Sequence, residues 1–206
     1  MNRKQIWTAV LAAGFLAGCG ATRPNKYYQL TLPGEGQPKV ESAPIPVTLL
    51  LGPLRSSHLY REDHIVFSSS GENMGTYQYQ RWAEPPTEML EEVLLRELRT
   101  SGRFRTVDML RSNSRGDYIL YGRLYDFKDI SGASPSARLT VEWELRETLT
   151  GSTVWTHYYT HDEPAGGKDI SAVVDALNRN AQRSVGEVKS NLDQYFSTHP
   201  PRKESM

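Results

Sequence analysis

An α+β chain is what the pattern of the sequence predicts, on three observations. Short runs of β-branched and aromatic residues occur before and after a single well-marked amphipathic helix. A stretch of alternating apolar and polar residues in the second half reads as an antiparallel meander. A second apolar stripe at helical spacing then continues almost to the end of the chain.

The elements follow in order. Residues 26–32, KYYQLTL, are aromatic and β-favouring and predict a first strand. Residues 33–46 contain four prolines and two glycines and predict a loop. Residues 47–51, VTLLL, are almost wholly apolar and predict a strand buried on both faces. Residues 64–68 and 76–80 predict two further strands, joined as a hairpin by the long polar loop 69–75.

The first helix begins at Pro86, with Thr87 and Glu88 beside it. Met89, Leu90, Val93, Leu94 and Leu98 form its apolar stripe, Glu91, Glu92, Arg96, Glu97 and Arg99 its polar face, and Gly102 its stop. A shorter strand over 104–109 leads into a three-stranded meander over 117–160. Within the meander Leu139, Val141, Trp143 and Leu145 alternate with Thr140, Glu142, Glu144 and Arg146, so one face is wet. The last helix is expected over about 169–196, on Ile170, Val173, Val174, Leu177, Ala181, Val185, Val188, Leu192 and Tyr195. Two prolines and a charged end predict a frayed or disordered tail.

The beginning of the chain has a separate logic. Arg3 and Lys4 precede an uncharged, largely apolar run over 6–17. That run is too short for a transmembrane helix, which needs about 20 residues, and suits a secretory signal. It ends in Leu16-Ala17-Gly18-Cys19, which resembles the lipobox of bacterial lipoproteins. The expectation is cleavage before Cys19 and lipidation of its thiol; the alternative is an ordinary secreted protein with a buried cysteine. Cys19 is the only cysteine, so no internal disulfide can form. The resulting division is 1–18 signal peptide, 19–25 lipidated tether, 26–197 domain and 198–206 tail. Gly20 stands where an aspartate would resemble an inner-membrane retention signal, so the expected location is the periplasmic face of the outer membrane.

Removal of 18 of the 206 residues leaves 188, an ordinary single-domain size. The signal takes two of 24 basic residues and none of the 24 acidic ones, so the mature chain carries a net charge of −2. Near-neutrality without a basic run argues against nucleic acid.

No catalytic constellation stands out. His157 and His161 lie beside Asp162 and Glu163. On a strand, four residues span about 13 Å, too far for ligands near 2 Å from one ion. His58 and His64 lie near Ser56, Ser57 and Asp63, but none of these serines sits in a G-x-S-x-G elbow. Glu91 and Glu92 are expected to be solvated. Gly34-x-Gly36 lacks the strand-to-helix setting of a nucleotide loop. The expectation is no enzyme, no metal and no cofactor beyond the lipid on Cys19.

Asn25-Lys26-Tyr27-Tyr28-Gln29-Leu30 after the lipobox, Leu59-Tyr60-Arg61 before Ile65-Val66, Arg81-Trp82-Ala83-Glu84-Pro85 before the helix, and residues 138–148 around Glu142-Trp143 carry a resemblance. In this order they are similar to the ABC-type transport auxiliary lipoproteins of the paraquat-inducible protein C type. The resemblance implies one compact α+β domain, a mixed or mainly antiparallel sheet with two amphipathic helices packed on it. It also implies an auxiliary role in a transport system whose substrate-binding protein carries a mammalian-cell-entry (MCE) domain, moving lipids or other hydrophobic compounds. An assembly factor for an outer-membrane complex and a periplasmic lipid carrier are the alternatives. Homo-oligomerisation stays open.

For the partner contact, Tyr77, Tyr79 and Arg81 share one strand face by alternation, and Trp82 ends the strand. Tyr, Trp and Arg are the residues that most often dominate interface energy. The competing expectation is that the rings pack under the first helix, most of all Trp82.

Overall fold

The computed structural model describes residues 23–31, 44–70, 73–111 and 114–201. The expected signal, Cys19, most of the expected 33–46 loop and the last five residues of the chain lie outside them.

The strands are β1 (Lys26–Tyr28), β2 (Ile45–Ser56), β3 (His64–Ser70), β4 (Asn73–Trp82), β5 (Phe104–Met109), β6 (Tyr118–Ile130), β7 (Ser136–Glu147) and β8 (Thr153–Pro164). The helices are α1 (Pro86–Ser101) and α2 (Ile170–Thr198). All eight strands form one mixed sheet. The meander β6-β7-β8 is antiparallel throughout. Strand β2 lies parallel to both β5 and β6, and β3 parallel to the far end of β6. The fold is therefore α+β, with α1 making the crossover that parallel pairing of β2 and β5 requires.

Strand β6 organises the sheet. Its residues 118–124 pair with β2 and its residues 128–130 pair with β3 on the same edge, while β7 runs the length of the other edge. Val47, Leu49 and Leu51 of β2, Leu120 and Leu124 of β6, and Leu139, Val141 and Leu145 of β7 supply the buried face. Helices α1 and α2 lie side by side on it, α1 against β2 and β5, α2 against β7 and β8. Gly102, at φ 64°, ends α1 in the left-handed cap that glycine makes without strain. The Asp169 side chain accepts from the Ala172 N–H and starts α2.

Four expectations need correction. The first strand stops at Tyr28 because Leu30 turns into the core and the Thr31 N–H donates to Asn178 Oδ1 of α2 at 2.9 Å. The second strand starts at Ile45, inside the predicted loop, and runs to Ser56, past Gly52-Pro53. A register shift between Leu51 and Leu54 absorbs that proline, which has no N–H to give to the ladder. The long 69–75 loop is mostly ladder, with Ser70 opposite Asn73 and Ser68 opposite Met74. Helix α2 retains Ser197 and Thr198, whose hydroxyls bond back to Gln194 and Tyr195 carbonyls.

Candidate functional site

The four predicted contact residues on β4 do not form one surface. Trp82 is fully enclosed and packs on Phe127 with ring centres 5.4 Å apart. It has no area to offer a partner. Tyr77 is half-buried, its ring 4.9 Å from Phe67, and its hydroxyl donates to Asp129 Oδ2 at 2.7 Å. Burial, followed by that carboxyl, pushes the Tyr77 phenol up to about 12. Arg81 pairs with Asp63 at 2.7 Å. Tyr79 is half-buried, with the Arg23 guanidinium 5.7 Å from its ring centre. On the edge of β4 away from β3, β1 covers only Gln80, Arg81 and Trp82, and among the described residues no strand lies beside residues 73–79 there.

The histidines are dispersed. His157 lies 3.7 Å from Glu187, and His161 3.3 Å from Glu163. His58 and His64 flank Glu62, each at 3.3 Å. Among the described residues no three His, Cys, Asp or Glu side chains gather as a metal site. Glu91 is not simply solvated: its Oε1 accepts from the Leu54 N–H at 2.7 Å, and burial raises its pKa above the usual carboxylate value.

A surface that these expectations passed over lies on the other face of the sheet. Along β6, Tyr118, Leu120 and Leu124 point to the helices, so Tyr121 and Arg123 point away. Cross-strand register then builds two adjacent rows. Arg55, Arg123, Glu142 and Tyr158 stand abreast on β2, β6, β7 and β8; Tyr121, Glu144 and Thr156 stand beside them. Among the described residues neither helix reaches this face, and all of these side chains except Tyr158 line an open groove of about 300 Å³ together with Tyr125 and Arg146. Tyr158 stands beside it, its ring centre 6.3 Å from that of Tyr125.

The groove is charged and pre-formed. The Tyr125 hydroxyl donates to Glu142 Oε2 at 2.8 Å, and that bond raises the phenol's pKa. Arg123 lies 5.5 Å from the Tyr125 ring centre and Arg146 5.2 Å from that of Tyr121, within cation–π range. Glu144 accepts from the Thr153 hydroxyl and from Arg146, which together hold its pKa down. Tyr121 lies flat where a side chain at residue 52 would be: a Cβ on Gly52 would come within 2.4 Å of its ring. Tyr158 is 60% exposed and Tyr125 42%. Such a lining suits a polar, hydrogen-bonding partner better than an acyl chain. The one sequence signal was the alternation Tyr121-x-Arg123-x-Tyr125, masked by the apolar start of β6.

A family model for the ABC-type transport auxiliary lipoprotein component matches residues 28–188. Among solved structures, a Xanthomonas campestris protein is similar at a TM-score of 0.69 and 21% identity, covering 79% of this chain and 92% of that one. A second, described as an uncharacterized protein, gives a TM-score of 0.65 at 14% identity over 82% and 99% of the two chains. These likenesses establish the fold. No curated protein matches the sequence.

Proposed function

Because the chain belongs to the ABC-type transport auxiliary lipoprotein family, we propose that it is a non-catalytic component of an MCE-type ABC transport system for lipids or other hydrophobic compounds. In this reading Cys19 carries the acyl chains and the domain works at the periplasmic face of the outer membrane. Two or three acyl chains suffice for lasting attachment, since each buried CH₂ contributes about 0.8 kcal/mol.

The observation that supports a docking role is the uncovered sheet face. Tyr and Arg side chains are held there in place before any partner arrives, so little side-chain entropy remains to be lost on binding. The occupant we assign is the MCE-domain substrate-binding protein. The test is Arg123→Ala with Tyr158→Ala, read by co-purification with that protein and by thermal melting. Both side chains are exposed, so folding stability should change by no more than about 0.5 kcal/mol per site. Lost co-purification with an intact melt supports the assignment. Full retention of the complex refutes it.

A further inference from the structure

The N-terminal end of the described chain indicates which part of the domain meets the bilayer. Strand β1 runs parallel to β4, with Lys26 opposite Gln80 and Tyr28 opposite Trp82. Residues 23–25 therefore lead into β1 from the side of the β3–β4 hairpin, and Arg23 accordingly lies over the Tyr79 ring. Arg23 lies four positions after Cys19, a reach of at most about 14 Å in any conformation. Whatever the tether's path, this corner cannot lie far from the lipid.

The corner's composition fits that position. Arg23, Lys26 and Tyr27 are all exposed, and Tyr27 is 62% accessible although β1 is paired. Between Cys19 and Thr31 there are two basic residues and no acidic one. Tyrosine is an amphipathic ring favoured at the headgroup level, and Lys and Arg are drawn to anionic lipid surfaces. The opposite end of the sheet carries the β7–β8 turn, where Leu149 is 79% exposed. Strand β7 places that turn roughly 40 Å from the end at which the tether leaves.

We infer that Arg23, Lys26 and Tyr27 form a contact surface for anionic lipid headgroups, so that the domain rests on the bilayer by this corner and directs the β7–β8 turn away from it. The inference rests on lipidation of Cys19. Once Cys19 carries lipid, a cysteine introduced elsewhere is the only thiol open to labelling. The mature lipoprotein is prepared as Tyr27→Cys and, separately, Leu149→Cys, each spin-labelled and reconstituted in phosphatidylethanolamine–phosphatidylglycerol vesicles. Flotation is measured first, then relaxation of each label by a water-soluble nickel complex. The expected result is severalfold weaker relaxation at 27 than at 149. Adding Arg23→Glu and Lys26→Glu should bring the label at 27 to the exposure seen at 149. Floating protein with equal relaxation at the two sites overturns the corner contact while leaving the anchor intact. Protein that fails to float, with an unmodified Cys19 by mass, removes the anchor and the contact with it.

Discussion

Asn180 sits in α2 with no exposed surface, yet three of its four side-chain hydrogen-bonding positions are used on the meander. Its amide donates to the Ala137 and His161 carbonyls at 2.9 and 2.8 Å and accepts from the Tyr159 hydroxyl at 2.5 Å. It fastens α2 to β7 and β8 and selects one helix position. Asn180→Leu removes the donors to the Ala137 and His161 carbonyls, at about 1–3 kcal/mol each, and leaves the Tyr159 hydroxyl only the backbone carbonyl of residue 180. Urea unfolding should therefore show a loss of more than about 2 kcal/mol. Gly122 makes the opposite point about space: a Cβ there would come within 2.5 Å of both Leu54 and Trp143. Gly122→Ala should lower stability by about 1–3 kcal/mol through overpacking. Glu91 is a carboxylate whose folded pKa is raised, so the folded chain binds its proton more tightly than the unfolded chain does. Its ionisation therefore opposes folding as pH rises through that value. Glu91→Gln keeps the acceptor for Leu54 and removes the charge, so the variant should be as stable as the parent or more so at neutral pH by thermal melting.

The elements differed in how openly their residues announced them. Helix α1 was fully legible because its stripe, its starting proline and its Gly102 stop are all local. Gly102→Ala forces φ 64° on a residue with a Cβ and should cost about 1 kcal/mol in the same unfolding assay. Strand β2 was only half legible: Pro46 and Pro53 argue for loop, and the strand persists because β5 and β6 hold it from both sides. The β3–β4 hairpin looked like two short strands and a polar loop, since Ser69, Ser70 and Asn73 have no apolar period. Pairing of β3 with the end of β6 holds Val66 to Ser68 in place, and β4 continues the ladder from there to Ser70 opposite Asn73.

Taken whole, the molecule is a sheet with one face covered by helices and the other bearing charged and tyrosine side chains. Acidic pH should weaken it. Glu163, bonded to Arg179 and Arg183, Asp162, bonded to Arg138, and Glu144, bonded to Thr153 and Arg146, all have pKa values below the ordinary carboxylate range. A depressed carboxylate releases its proton more readily when folded. Its stabilisation is thus full above the unfolded value, near 4, and lost as pH falls through the folded one. Melting temperature should fall progressively below about pH 4, and Arg179→Ala with Arg183→Ala should flatten the part of that fall due to Glu163. Local order was readable in the sequence by itself: the two helices, the meander and the resemblance to the family. Each depends on periodicity or on neighbours in the chain. Strand order, and with it the fate of the tyrosines and arginines, was decided only by the tertiary structure. Tyr77 and Tyr125 belong to similar alternating patterns, yet the Tyr77 hydroxyl is held by Asp129 while Tyr125 lies on the open face. Which side of a strand is buried depends on where the helices lie, and that is set by contacts among residues far apart in the chain.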